Sequence, residues 1–330
     1  MQMKAMRKFM IFLLAAMMVC GCLTGCGRNR RKSGNVILNE VAHSIFYAPM
    51  YVAIEEGYFA EEGITLTLVT GYGADKTMTA LLTGEADIGF MGSESTIYTY
   101  LNGAEDYAVN FAQLTQRAGN FLVAREAVDD FDWSMLQDAD ILGGRAGGMP
   151  EMVFEYILKQ NGMTPSEMKI DQSIDFGSTA AAFAGGQGMY TVEFEPHATL
   201  LEDQGQGVVV ASLGEASGYV PYTAFSALRS YMEKNPDVIR GFVNAMKRGV
   251  EYVNTHTSEE VAEVIAPQFE GTEIDTIARI VERYRAQDTW KADLVFEQDS
   301  FDLLQDILED AGQITERAPY EKLVTTEYMP

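Results

Sequence analysis

The sequence predicts an α/β chain built on largely parallel sheets. Three observations carry that expectation. Short β-type runs alternate with short helical segments at roughly 25-residue spacing through the first part of the chain, the pattern of βαβ units. Glycines stand where those helices should close, at Gly57, Gly63, Gly84 and Gly103. From Asn235 onward the texture changes to amphipathic helices.

Taken in order, residues 36–38 are the first β-type run. Residues 49–60 are helical, with Pro49 in the first turn, where its missing N–H costs nothing. Residues 64–69 (ITLTLV) alternate with β-branched side chains and make a strand. A helix at 74–82 ends at Gly84, and 87–91 is a second buried strand. The helix at 96–101 has Ser93 or Ser95 available as its cap and Gly103 as its close. Residues 109–114 and 121–125 are further strands.

The middle block repeats the grammar. A strand at 141–142 runs into a glycine-rich turn, and a helix at 150–161 sets Met152, Val153, Tyr156 and Ile157 on one face. Residues 208–212 are a strand; Ile170, the segment around Phe176 and residues 189–194 supply others. Asn235-Pro236 is a cap followed by a first-turn proline. Ile239, Phe242, Val243, Met246, Val250 and Val253 then repeat at helical spacing, and helices at 258–265, 273–286 and 301–311 follow.

Composition narrows the function classes. The chain has 330 residues, 47% apolar and 22% charged, which is ordinary globular material. Its 48 acidic residues outnumber 24 basic ones, and the net −24 repels phosphate backbones, so no nucleic-acid partner is expected. Cys20, Cys22 and Cys26 all lie in the first 26 residues, and there are three histidines. A disulfide framework or a metal cluster in the folded body is thereby excluded, and no metal or other cofactor is expected.

The N-terminus reads as a targeting segment. Lys4, Arg7 and Lys8 precede an apolar run at 9–19, too short for a membrane span. The run ends in Leu23-Thr24-Gly25-Cys26, which resembles the bacterial lipobox, whose cysteine is lipidated and becomes the first mature residue. A cut at Cys22 fits less well, and an ordinary signal peptide is the plain alternative. The expectation is therefore a signal peptide at 1–25, lipidation at Cys26, and a flexible basic tether at 26–34. Lipid chains would hold the protein on the extracytoplasmic membrane face without a spanning helix. Seven of the basic residues lie in leader and tether, so the body from residue 35 carries 17 basic against 48 acidic residues, a formal −31.

Two blocks carry a family resemblance. The first is His43-Ser44-Ile45-Phe46-Tyr47-Ala48-Pro49-Met50-Tyr51-Val52-Ala53, followed by Glu56-Gly57-Tyr58-Phe59-Ala60-Glu61-Glu62-Gly63-Ile64. The second is Leu81-Leu82-Thr83-Gly84-Glu85-Ala86-Asp87-Ile88-Gly89. Together they resemble the solute-binding proteins of ABC importers for thiamine-pyrimidine precursors, sulfonates, taurine and nitrate, strongly over 36–125 and more loosely to about 255. The resemblance implies a type II periplasmic-binding-protein fold: two α/β lobes with mainly parallel sheets, a hinge of two crossing strands, and a small ligand in the cleft. It places lobe I at 35–122 plus 222–330 and lobe II at 123–221, with crossings near 121–125 and 219–225. It also implies a monomer whose partners are a permease and its ATPase.

Open parallel sheets take ligands beyond the carboxyl ends of their strands, where helix N-termini offer free N–H groups. His43, Phe46 and Tyr47 lie on the first such loop, with rings to stack on a planar ligand; packing under the next helix is the even alternative. Tyr72 sits in the GYGA turn. Ser93, Glu94 and Ser95 open a helix; the hydroxyls suit capping, whereas Glu94 suits a ligand amine or amidine. Gln113 and Thr115 end a strand. From lobe II come Gly147 and Gly148, in a loop that is neither a P-loop nor a dinucleotide fingerprint, and Glu193 and Glu195, for which solvated surface is the plain alternative. Tyr222 lies in the second crossing.

The expected ligand is a small planar heteroaromatic of thiamine-pyrimidine type. The alternatives are an organosulfonate or nitrate-like anion held by helix N-termini with Arg117 or Arg145, or a sensory or adhesion lipoprotein without transport. The acidic body opposes an anion at long range. No enzyme activity is expected. Gly-x-Ser-x-Gly and His-Glu-x-x-His are absent, and His43, His197 and His256 are scattered. A fungal pyrimidine synthase of this fold is an enzyme, but its cysteine-rich motif is missing here.

Overall fold

A computed structural model describes residues 34–329. The expected signal peptide, the lipidation site Cys26 and the tether up to Ser33 lie outside the described residues. Ten strands form the frame: β1 (Gly34–Glu40), β2 (Ile64–Thr70), β3 (Ile88–Met91), β4 (Ala108–Thr115), β5 (Asn120–Ala124), β6 (Asp140–Leu142), β7 (Lys169–Asp171), β8 (Tyr190–Phe194), β9 (Val208–Ser212) and β10 (Thr223–Leu228). They make two five-stranded sheets, ordered β2-β1-β3-β10-β4 and β7-β6-β8-β5-β9.

Both sheets are mixed rather than purely parallel. β1 pairs in parallel with β2 and β3, whereas β10 runs antiparallel to β3 and β4. In the second sheet β6 is parallel to β7 and β8, and β5 is antiparallel to β8 and β9. The reversed strands have a topological cause. β5 is the first strand after the chain leaves the first sheet, and β10 the first after it returns. Both lie inside their sheets, antiparallel to both neighbours; each is entered from the end at which the chain passes between the sheets, and so runs opposite to the parallel strands. The outward passage is only residues 116–119, and the segment expected to cross at 121–125 is itself strand β5.

Burial follows the pattern of the side chains. β3 and β4 are buried along their whole length, while β2, at an edge, alternates inside and outside. Phe90 of β3 and Phe225 of β10 face each other in register and stack at 4.2 Å between ring centres. The helix Pro236–Thr255 buries all six residues of its predicted apolar face. It lies on the helix Ala48–Glu55, where Gly249 faces the Pro49 carbonyl so closely that a Cβ would strike it.

Three local expectations change. The helix expected at 49–60 is two helices, Ala48–Glu55 and Tyr58–Glu61, because Gly57 adopts φ 71° and turns the chain between them. The segment around Phe176 is not a strand but the helix Phe176–Ala184; its run of alanines favours helix over sheet. The helix after β3 begins at Glu94 and ends at Leu101, and Ser93 stands at its cap position without making a side-chain capping bond.

The C-terminal part binds the two sheets together. The helix Ile274–Ala286 packs on the turn Ile45–Tyr47, and the helix Gln298–Asp310 touches both the Glu94 helix and the helix Met149–Gln160. Val324 bridges Asn110 and covers the open edge of β4. Among the described residues no helix is long and apolar enough to cross a membrane.

Candidate functional site

The carboxyl ends of β1, β3 and β4, the amino end of β10 and the start of β5 converge where the chain passes between the sheets. Glu94 sits at this junction. It is only 4% exposed, and its Oε2 has no hydrogen-bond partner. Gly92 gives the carboxylate its room, because a Cβ at residue 92 would fall on it. Burial lifts the Glu94 carboxyl from its ordinary 4.5 to about 7, against a weaker opposing pull from its own backbone N–H. The hydroxyls of Tyr47, Tyr98 and Tyr222 are raised chiefly by burial, and the Glu94 charge adds to each.

Tyr222 links this group to the second sheet. Its hydroxyl donates to Asn120 Oδ1 at 2.9 Å, while Asn120 Nδ2 is buried without a partner. Its ring meets Phe46 edge-on at 5.8 Å. Phe46 is buried against Tyr47 and Tyr284, and Gly119 gives it space: a Cβ there would lie 2.8 Å from the ring. Tyr47 in turn meets Phe90 at 4.5 Å. Ser93 donates to the Pro221 carbonyl at 2.7 Å, tying the Glu94 loop to the returning chain. Thr115 and Thr223 hydroxyls are 2.5 Å apart. Gln113 donates to the Thr115 carbonyl at 3.2 Å and leaves its Oε1 unpartnered.

Phe46, Tyr47, Ser93, Glu94, Thr115 and Tyr222 therefore gather around one junction. Ser95 lies just beyond Glu94, nearly buried, with its carbonyl accepting from Thr99. The other expected residues stand apart or are already engaged. His43 has both ring nitrogens bonded, to Glu40 and to the Gln268 carbonyl. Tyr72 is 75% exposed on a turn that it enters with φ 56°. Gly147 and Gly148 lie open at the start of the Met149 helix, where Gly147 N–H donates to Glu151 at 3.2 Å.

The two acids from the second sheet are buried, not solvated. Glu193 accepts from Thr191 at 2.6 Å, and its Oε2 has no partner; burial lifts its carboxyl to about 7 against hydrogen bonds from Thr191 and Thr179. Glu195 is spent on Arg283 at 2.6 Å and on the backbone N–H and hydroxyl of Thr199 at 2.9 and 3.0 Å. Asn120 and Tyr98 were not expected from the sequence. Asn120 opens an apolar run and reads there as an ordinary strand residue; only its place beside the passage sets it apart. Two open surface depressions, of about 600 and 540 Å³, lie elsewhere, on the Pro236 helix and at the helices Ser258–Ile265 and Ile274–Ala286.

The junction closes two sheets over one another. Tyr98 of the Glu94 helix reaches Met152 Sδ of the Met149 helix at 3.7 Å, and Lys159 pairs with Asp310 at 2.9 Å.

Comparison with known proteins agrees with this architecture. The family model described as NMT1/THI5 like matches residues 45–260. The chain is 42% identical over 318 residues, 96% of its own length and 93% of the other, to YtlA of Bacillus subtilis (strain 168), a binding protein by its name only. It is 24% identical over 225 residues, 63% of each chain, to 4-amino-5-hydroxymethyl-2-methylpyrimidine phosphate synthase of Aspergillus parasiticus. Among solved structures, the alkanesulfonate-binding protein SsuA of Xanthomonas axonopodis pv. citri, bound to MOPS, superposes with a TM-score of 0.71 at 14% identity, covering 88% of this chain and 98% of that one. The two-lobed periplasmic-binding fold implied by the sequence is thus the fold observed, with mixed sheets. The chain belongs to the NMT1/THI5-like family.

Proposed function

We propose that the chain is the extracytoplasmic solute-binding subunit of an ABC importer, anchored by lipid at Cys26, and that it captures a small planar heteroaromatic of thiamine-pyrimidine type. The ligand lies between a lobe built on the first sheet and a lobe built on the second, with the outward passage at residues 116–119 rather than at the expected boundary of 122 and 123. Capture is followed by lobe closure and delivery to a permease; hydrolysis of ATP belongs to a partner, and this chain catalyses nothing.

The observation that carries this reading is the buried Glu94 carboxylate with one oxygen unpartnered beside Tyr47 and Tyr222. A buried carboxylate without a partner destabilises the fold, so its presence at the junction calls for a ligand that supplies a donor. An amine or amidine edge does so, and the neighbouring rings suit a flat π-system. The binding-protein name of YtlA and the pyrimidine chemistry in the name of the Aspergillus parasiticus relative support this reading.

An anion such as a sulfonate is the second reading, and one observation favours it: Arg117 keeps a buried Nε–H without a partner. Against it, Arg117 already donates to the Gly214 carbonyl and lies over the Tyr219 ring, Arg145 is paired with Asp175 at the surface, and the acids Glu94 and Glu193 would repel an anion. A thermal-shift screen of pyrimidines, flavins, sulfonates and nitrate separates the readings. A tight binder at a thousandfold excess over Kd stabilises by about 4 kcal/mol. The expected hit is an amino-substituted heteroaromatic; stabilisation by sulfonates alone would sink the proposal. For the anchor, Cys26→Ala should move the protein from the membrane fraction to the soluble fraction, and no change in partition would count against lipidation.

A further inference from the structure

His43 stands between two acceptors. Its Nδ1 lies 2.8 Å from Glu40 Oε1, and its Nε2 lies 2.7 Å from the Gln268 carbonyl oxygen. A neutral imidazole carries a single N–H. It can donate to one of these oxygens, and it must then turn a bare nitrogen lone pair toward the other. Only the imidazolium donates at both ends.

The groups that face the ring nitrogens present oxygens: the Glu40 carboxyl, the Gln268 carbonyl and the Tyr51 hydroxyl. Glu40, at the end of β1, has no exposed surface and accepts from Thr70 at 2.9 Å and from the Tyr51 hydroxyl at 2.6 Å. The Tyr51 oxygen is 3.1 Å from Nδ1, but its proton is given to Glu40, so it offers Nδ1 a lone pair and not a donor. The rings of Tyr51 and Phe269 flank the imidazole at 4.9 and 5.0 Å. Glu55 is one step further out and accepts from the Gln268 side-chain amide. Glu40 and Glu55 are both acids, and among the described residues neither is paired with a lysine or an arginine.

We propose that His43 is an imidazolium at neutral pH, that it fastens the loop 41–47 to the turn Ala266–Gln268, and that loss of its proton releases this fastening. The loop carries Phe46 and Tyr47, so the protonation state of His43 reaches the junction around Glu94. The surroundings agree with the geometry: the hydrogen bond to Glu40 raises the imidazole above its ordinary 6.5, more than burial lowers it, and the Gln268 carbonyl adds to the rise. With the folded value above the unfolded one, the fastening is complete below about pH 6.5 and is lost as pH rises through the folded value. The inference stands whatever the ligand is.

Long-range proton–nitrogen correlation spectra of the full chain, recorded from about pH 5 to about pH 9, test it across the range in which histidine titrates. There are three histidines, and His43→Gln identifies the relevant signals. The expected result is protonation of both His43 ring nitrogens at neutral pH and a midpoint above 6.5, with backbone amides of 44–47 and 266–269 shifting at the same midpoint. A neutral tautomer at pH 7, a midpoint at or below 6.5, or loop amides that ignore the titration overturns the proposal. In Glu40→Gln the midpoint should fall by about one unit or more, the scale of a lost neighbouring charge; an unmoved midpoint also overturns it. Should that variant fail to fold, the titration of the native chain decides alone.

Discussion

Glu94 carries the most telling single-residue chemistry in the molecule. Its folded value near 7 exceeds the ordinary 4.5, so the folded state holds a proton that the unfolded state has released. Stability therefore falls as pH rises from about 4.5 to about 7, by on the order of 3 kcal/mol for a shift of this size, and stays low above that. Glu94→Gln removes the titration. Urea unfolding at pH 5 and pH 8 should show the variant gaining on the native chain by about 2 kcal/mol at the higher pH; an equal gap at both pH values would mean the carboxylate is better solvated than its surroundings indicate. Glu94 was legible in the sequence as an acid at a helix start just after a buried strand. The partner of His43 was not, because Gln268 is 225 residues away and contributes a main-chain oxygen that no side-chain pattern encodes.

At the scale of elements, the tightest join is the crossing of the Ala48 and Pro236 helices. Gly249 lets the second helix approach the Pro49 carbonyl directly. Gly249→Ala would gain about 1 kcal/mol of helix propensity, yet it must push the helices apart. Overpacking of this kind typically costs about 1–3 kcal/mol, and the overpacking should win. Chemical denaturation checks the sign: a stabilised variant would show that the helices separate freely. Most elements were readable because apolar period and glycine position agree, as in the helix Ala74–Thr83 with Gly84 in the left-handed region behind it. The segment at Phe176 misled because aromatic and apolar residues there suit either state, and the alanines between them decide for helix once the segment packs against β8.

For the whole molecule, the two sheets are held by more than their two connections. Arg283, on the helix whose Tyr284 packs on Phe46, binds Glu195 at 2.6 Å and Glu202 at 2.5 Å on the far side of the passage. Arg279 beside it pairs with Asp203 at 2.6 Å. Glu195 has no exposed side-chain surface, so Arg283→Met would strand its charge. The expected loss is on the order of 3 kcal/mol, read by urea unfolding; a loss below about 0.5 kcal/mol would show that the helix Ile274–Ala286 does not clamp the second sheet. None of this clamp was visible in the sequence, where Glu195 stood as a candidate ligand contact with solvated surface as its alternative and nothing singled out Arg279 or Arg283. The reversal of β5 and β10 was hidden for a similar reason: strand direction follows from where the chain enters a sheet, and alternation of side chains is blind to it.

The proposed function rests on Glu94 receiving the ligand between the lobes. The most direct measurement is calorimetric titration of the best-stabilising heteroaromatic into the native chain and into Glu94→Gln. Loss of a charge-assisted hydrogen bond predicts affinity weaker by tenfold or more, about 1.5–3 kcal/mol. Equal affinity in the two proteins would contradict the assignment and move the site away from the junction.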